Sequence, residues 1–288
     1  MTMIQRRFIL GSEWIYCKIY TGEKNADTIL SKDILELNRT LIKQKLIDKC
    51  FFIRYSDVDF HIRLRYHVTS NENIMTVISQ LFQKFNSEIQ NRRIHKLTYD
   101  TYVREVERYC ESTYEYTETL FSIDSQSIIS LLNYIYPLQD KYDLRWEIAL
   151  ILLDDTLDAA EYTLEQKKAF AEQRRDGYRH EFGITNIDAI RQFNNKFRTN
   201  KASIIHTMQR NLQEEISREL NERKRQMMYV IKEIKNALEI DLSDYLSSIT
   251  HMTVNRLFIT KNRLCEMVLF DYLYRYYDSC LARLKYNQ

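Results

Sequence analysis

Four glycines and a single proline in 288 residues constrain this chain more than any other feature. Those two residue types punctuate turns and end helices, so their scarcity predicts long helices joined by few tight loops. No Gly/Ser- or Pro-rich stretch marks a flexible linker, which leaves one large domain or two closely packed subdomains. The remaining composition, 44% hydrophobic and 28% charged, is that of an ordinary soluble globular protein.

Several function classes lose support at this level. A formal net charge of +2 carries no strong nucleic-acid or membrane footprint, so neither direct nucleic-acid binding nor membrane association is expected. Cys17, Cys50, Cys110, Cys265 and Cys280 are scattered and odd in number. That pattern suits a reducing cytosol and fits neither a disulfide framework nor a zinc site. The opening residues, MTMIQRRFIL, lack a signal-peptide core, and apolar runs such as Ile148–Leu153 are too short to span a bilayer. The expectation is a cytoplasmic protein without a metal or other cofactor.

Over residues 1–110 the pattern reads strand, helix, strand, strand, helix, strand. Trp14–Tyr20 is aromatic and β-branched, hence a strand. Leu30, Ile34, Leu37 and Leu41 recur at helical spacing, as do Ile74, Val77, Ile78, Leu81, Phe82, Phe85 and Ile89. Between these helices, Cys50–Tyr55 and His61–His67 form a hairpin, and a last extended stretch falls within Lys96–Tyr109. The order predicts an α+β fold with a ferredoxin-like antiparallel sheet and packed helices. From Thr113 onward the pattern is almost wholly helical. Ile128, Leu131, Leu132 and Ile135 make a short stripe that Pro137 should end. Ile204, Met208, Leu212, Ile216 and Leu220 make a longer one, continued by Met227, Ile231, Ile234 and Leu238, with Glu214–Arg225 as its solvated face. The Tyr-rich Asp271–Tyr277 is expected in the core or a dimer interface.

The hairpin, FFIRYSDVDFHIRLRYH over Phe51–His67, carries the most specific chemistry. Alternation puts Ile62, Leu64 and Tyr66 on one face and His61, Arg63, Arg65 and His67 on the other. Arg63 and Arg65 stand one strand repeat apart, about 7 Å between Cα atoms. Paired guanidiniums suit a carboxylate or phosphate, since each offers a planar fork of donors and stays charged. Alternation alone leaves two readings open: an anion site, or a solvated face whose arginines pair with surface carboxylates. Arg54, on the facing strand, is expected to pair with an acidic residue such as Asp57, and a metal at His61 and His67 lacks a third ligand.

FFIRY, an acidic turn residue and HIRLRY resemble the signature of the thiopeptide-type bacteriocin biosynthesis domain, the C-terminal glutamate-elimination domain of class I lanthipeptide dehydratases. Trp14–Tyr20 with Gly22 resembles its opening strand, Tyr102–Tyr109 (YVREVERY) its tyrosine-glutamate-arginine motif, and Ile249–Leu257 (ITHMTVNRL) its histidine-methionine and asparagine-arginine segment. The resemblance spans nearly the whole chain. It implies a single elimination-type domain with an α+β subdomain over 1–110 and a helical subdomain over 111–288. Two positions depart from the pattern: Cys110-Glu111 stands where the family usually has glycines, and Thr253 where a second histidine often falls.

The implied activity is that of a lyase. A glutamyl ester on Ser or Thr of a ribosomally made precursor peptide loses glutamate, leaving dehydroalanine or dehydrobutyrine. The family's glutamyl-tRNA-dependent glutamylation domain does not fit in 288 residues, which implies a split dehydratase with a separate glutamylation protein as partner, and a homodimer is a further expectation. Residue by residue, the resemblance gives catalytic roles to Arg63, Arg65, Glu105, Arg108 and His251. The arginines would hold the adduct and its leaving carboxylate, and His251 would move a proton, since histidine titrates near neutral pH. Glu105 either orients an arginine or moves a proton itself. Arg54, Arg104, Asn255 and Arg256 are the candidate substrate-binding residues. In strict alternation Arg104 and Arg108 share one face and Glu105 the other, so Glu105 and Arg108 meet only if the strand ends or bulges. Two competing readings remain: a formal [4+2] cycloaddition of two dehydroalanines, building a thiopeptide pyridine on the same fold, and a non-catalytic module that docks peptide or a partner.

Overall fold

The computed structural model describes residues 4–136, 144–184 and 186–286. The chain opens with β1 (Arg7–Phe8) and β2 (Trp14–Thr21). Next, α1 (Glu23–Thr28) runs through a π-helical stretch, Ile29–Ile34, into α2 (Leu35–Lys43). The hairpin follows as β3 (Ile47–Ser56) and β4 (Phe60–Val68), then α3 (Ile74–Gln90), β5 (Ile94–Tyr99) and β6 (Tyr102–Val103). The one-turn α4 (Val106–Tyr109) and the long α5 (Tyr114–Ile135) come next. Beyond them lie α6 (Arg145–Ala159), α7 (Leu164–Glu181), α8 (Ile187–Met208), α9 (Glu214–Ala237), α10 (Leu242–Leu257) and α11 (Asn262–Tyr286). Two compact units are formed, Met1–Asp140 with Tyr229–Asp241, and Lys141–Met228 with Leu242–Gln288.

In the first unit, four strands form an antiparallel sheet in the order β3-β4-β2-β5. With α1–α2 and α3 as connections, this is the ferredoxin-like arrangement predicted from the order of periodicities. One sheet face buries Ile15, Cys17 and Ile19 of β2, Cys50 and Phe52 of β3, and Ile62, Leu64 and Tyr66 of β4. Each Ile, Leu or Phe among them contributes about 1.5–3 kcal/mol by leaving water. The helices lie on this face: the Tyr66 hydroxyl donates to Asn38 Oδ1 of α2 at 2.9 Å. Edge strand β3 is closed by α5, where Ser122 Oγ accepts from the Cys50 N–H at 3.0 Å and Ser125 Oγ from the Phe52 N–H at 3.1 Å. Two-residue strands β1 and β6 pair antiparallel, Phe8 opposite Tyr102. Tyr102 stacks on Phe8 and tilts against Trp14, with ring centroids 5.7 and 5.1 Å away.

Several expectations need correction. In α3 the buried positions are Ile74, Val77, Leu81, Phe85 and Glu88, while Phe82 is 63% exposed. Phe82 and Ile89 lie about 100° and 80° around the helix from Leu81, at the edge of the buried arc. The stripe from Ile204 to Leu220 does not belong to one helix. It breaks between α8 and α9, where Arg210 takes a left-handed φ of 61° and its guanidinium binds Asp155, so Leu212 sits in the connection. Arg223, on the expected solvated face of α9, is buried and donates to the Leu152 carbonyl at 3.2 Å. Pro137, expected to end α5, lies outside the described residues.

In the second unit, Ile148–Leu153 of α6 is buried on all sides, as an uninterrupted apolar run requires. The Tyr-rich segment of α11 is core: Tyr272 and Tyr277 are buried, and the Tyr277 hydroxyl donates to Asp154 at 2.8 Å. No helix among the described residues is long and apolar enough to cross a membrane.

Candidate functional site

The predicted arginine face exists, and its neighbours in the sheet determine its character. In antiparallel register Arg65 stands opposite Tyr16 of β2 and Phe51 of β3, while Arg63 stands opposite Lys18 and Ile53. Directly opposed residues share a face. The Arg65 guanidinium carbon therefore lies 4.4 Å from the Tyr16 ring centroid and 5.3 Å from that of Phe51. Tyr102 of β6 adds a third ring at 5.1 Å. Arg65 is 9% exposed, its Nε is buried without a hydrogen-bond partner, and no carboxylate pairs with it among the described residues. Aromatic faces offset part of that desolvation, about 2 kcal/mol or more for a buried contact. Burial pushes the Tyr16 phenol up against the opposing pull of Arg65, Arg63 and Lys18, so it stays a neutral ring.

Arg63 and Lys18 form the more open part of this face, with side chains 21% and 19% exposed. Arg63 stacks on Tyr55 at 3.4 Å and donates from Nε to His61 Nε2 at 3.2 Å. Asp57, in the hairpin turn, comes no nearer than 3.9 Å to its guanidinium. Lys18 binds Asp100 at 2.6 Å, a hydrogen bond that raises the ammonium's pKa and lowers the carboxyl's. Arg63, Arg65 and Lys18 thus share one sheet face, with Lys49 and Lys96 opposite His67 and Tyr20 on the same face and Asp57 and Asp100 near Arg63 and Lys18. His67 is bound to Asp48 at 2.6 Å.

The second motif departs from a regular strand. β6 ends at Val103, Glu105 caps α4, and Arg108 sits on that single turn with Nη1 4.0 Å from Glu105 Oε2. This is the strand ending that lets the two residues meet. Both are largely exposed, and the Glu105 backbone N–H donates to Tyr114 Oη at 2.9 Å. Arg104 is buried instead. It makes a two-pronged pair with the fully buried Glu118, at 2.8 and 2.7 Å, and Tyr102 donates to the same carboxylate at 2.8 Å. At the end of α4, Cys110 adopts φ 62°, ψ 149°, a backbone conformation that glycine takes without strain.

Arg54 does not pair with Asp57. It stands opposite Ile62 on the helix-facing side of the sheet, 2% exposed, and binds Asp27 of α1 at 2.6 Å.

In the second unit His251 lies on α10, its side chain 25% exposed, and its Nδ1 is 2.7 Å from Oε1 of the fully buried Glu266 on α11. Asn255, four residues on, shares that helix face. Arg256, five residues on and about 140° around the helix, is buried at 1% exposure. Thr253 is also buried and accepts from Arg223 at 3.4 Å.

Lys18, Tyr16, Asp100 and Glu266 escaped the sequence reading. Alternation in WIYCKIY already groups Trp14, Tyr16, Lys18 and Tyr20, but only the strand order shows that their neighbour is the arginine strand. Nothing in the sequence marks Glu266.

No curated protein matches the chain. Among solved structures, the tRNA-dependent lantibiotic dehydratase MibB from Microbispora sp. 107891 superposes with a TM-score of 0.73 at 21% identity. That match covers 95% of this chain, which spans 28% of MibB's length. TbtD, the pyridine synthase of thiomuracin biosynthesis, superposes with a TM-score of 0.68 at 12% identity, covering 95% of this chain and all of TbtD. TsrL follows at 0.63 and 11% identity, over 93% of this chain and 95% of its own. At these identities the likeness is one of fold. Residues 14–277 match the lantibiotic biosynthesis dehydratase C-terminal family, and the chain belongs to that family.

Proposed function

We propose that this chain is a lyase that eliminates glutamate from glutamylated Ser or Thr of a ribosomally made precursor peptide. The observation that carries the reading is Arg65, a guanidinium enclosed by three aromatic rings with no carboxylate partner of its own. A cation kept in a desolvated, aromatic setting projects its field onto whatever anion reaches Arg63 and Lys18 beside it. Such pre-aimed charge favours a carboxylate that develops in the transition state. β-Elimination then needs a base for the Cα proton. The freed pair forms the Cα–Cβ double bond as the Cβ–O bond breaks, and glutamate leaves as its carboxylate. His251 takes the proton, and Arg108, with Glu105 as its loose partner, adds to the anion's surroundings. Arg54, Arg104 and Arg256, being buried, are assigned to holding the fold; Asn255 remains a candidate for substrate contact. The substrate comes from glutamyl-tRNA-dependent glutamylation of the precursor peptide, in the cytoplasm.

The test is to incubate the chain with a glutamylated precursor peptide and follow its mass. Loss of glutamic acid with an alkene product is expected. An unchanged peptide, with the glutamylating protein demonstrably active, overturns the reading. The full-length likeness to TbtD supports a second reading, cycloaddition, which predicts instead a ring-closed product from a peptide already carrying dehydroalanines. As a site test, Arg65→Met should slow elimination by about 100- to 1,000-fold, the usual effect of removing a pre-aimed donor. Its melting temperature should hold or rise, because an apolar side chain of similar volume replaces a buried charge lacking a carboxylate. Wild-type elimination by this variant removes Arg65 from the mechanism.

A further inference from the structure

We propose that Glu266 is a positioning residue for His251: its carboxylate holds the imidazole proton on Nδ1 and leaves the Nε2 lone pair to take the substrate's Cα proton. The proposal rests on the elimination reading but concerns a residue outside every motif that suggested it. Glu266 is 0% exposed, at a point where α7, α10 and α11 of the second unit supply its partners. A buried carboxylate is costly unless its lone pairs are satisfied. Here Oε1 accepts from His251 Nδ1 at 2.7 Å, Oε2 accepts from the Tyr178 hydroxyl, and Arg263 Nη1 lies 3.5 Å from Oε2. Burial, then the charge of Glu266, push the Tyr178 phenol up, so Tyr178 keeps its proton and remains a donor to Oε2. Arg263 stacks over the Tyr178 ring at 4.6 Å and is itself held by Glu181.

With both Glu266 oxygens engaged, the carboxylate has a fixed orientation and the His251 ring a fixed plane. A free imidazole in water prefers its proton on Nε2, which would block a base acting through that atom. A carboxylate at Nδ1 reverses the preference, because only the Nδ1–H form of the neutral ring can donate to it. His251 Nε2 has no partner among the described residues, and the side chain is a quarter exposed. During elimination Nε2 takes the Cα proton and the ring becomes imidazolium. The C–H pair forms the alkene, the Cβ–O pair stays on the departing glutamate, and Glu266 remains a carboxylate that offsets the imidazolium charge. The logic is that of an orienting carboxylate behind a general base.

Two measurements test it. Nitrogen-15 NMR of the histidine side chains, with His251 assigned by its loss in His251→Gln, should show neutral His251 protonated on Nδ1 in the wild type. In Glu266→Ala it should shift to the Nε2–H form, and in Glu266→Gln likewise, since the Tyr178 and Arg263 donors hold the amide oxygen at the Oε2 position and turn its NH2 toward Nδ1. Elimination kinetics should show kcat down by about 100-fold in Glu266→Ala with KM unchanged, and down as well in Glu266→Gln, whose amide neither offsets the imidazolium charge nor keeps the proton on Nδ1. A merely structural glutamate would move neither tautomer nor kcat selectively. A wild-type Nε2–H tautomer overturns the proposal even if Glu266→Ala fails to fold, and so does an unchanged kcat in a folded Glu266→Ala. If wild-type protein eliminates no glutamate, the elimination reading fails while the tautomer measurement still decides whether Glu266 sets the proton.

Discussion

His61 is fully buried between the rings of Tyr20 and Tyr55, 4.7 and 5.7 Å away, and its hydrogen bonds fit only one neutral form. Nδ1–H donates to the Asp59 carbonyl at 2.9 Å, and Nε2 accepts from Arg63 Nε at 3.2 Å. Protonation would set a second cation against Arg63. Burial, chiefly, lowers the His61 pKa from its ordinary 6.5, against an upward pull from the bond to the Asp59 carbonyl and with a smaller downward push from the Arg63 charge. With the folded value below the unfolded one, the unfolded chain binds more protons as pH falls, so this contribution is whole above 6.5 and lost as pH drops through the folded value. Denaturant melts at pH 7.5 and pH 5.5 should therefore show a loss at the lower pH that is smaller in His61→Asn. An equal loss in both would clear His61. The same protonation removes the acceptor that steadies Arg63, so the residue that sets this acid limb also steadies the proposed anion face.

At the scale of elements, the sheet's exposed edge explains why α5 matters to the arginine strand. β3 is an edge strand, and half its backbone N–H groups have no strand to meet. Ser122 and Ser125, nearly one helical turn apart on α5, accept from Cys50 and Phe52 instead. Removing either hydroxyl leaves a buried N–H unpaired, a cost of about 1–3 kcal/mol. Ser125→Ala should lower stability by that amount in urea melts, while Ser87→Ala, on exposed α3 surface, serves as the control and should change little. Equal effects would mean that the edge is closed by packing alone. The alternation of β4 was legible in the sequence, down to the face shared by Arg63 and Arg65. The helix that seals its neighbour was not, because a serine's partner across more than 70 residues leaves no periodic trace.

For the whole molecule, scarcity of glycine raises a question that the backbone answers. The turns after α2 and α3 need a left-handed residue, and Lys45 (φ 57°) and Arg92 (φ 58°) supply it. Each closes its helix with paired backbone bonds, Leu46 N–H to the Leu41 carbonyl and Arg93 N–H to the Glu88 carbonyl, both 3.0 Å. An L-residue pays about 1–2 kcal/mol in that conformation. Lys45→Gly and Arg92→Gly, both exposed, should each raise stability by about 1 kcal/mol, and together by about the sum, since the two turns are separate. Thermal unfolding of the double variant checks this; no gain would show the left-handed turns unstrained. Composition thus foretold long helices correctly, and misjudged how their tight turns are made. What the sequence by itself determined is what lies along one element: the strand alternation that pairs Arg63 with Arg65, the helical stripes, and the ferredoxin-like order of elements. Only the tertiary structure decided which element stands beside which. It gave Arg54 to Asp27 and Arg104 to Glu118, walled Arg65 with rings from three other strands, and set Glu266 behind His251. Periodicity records the direction a side chain leaves its own backbone. A partner is chosen by packing between segments far apart in the chain, where burying charge demands a counterpart that no local pattern names.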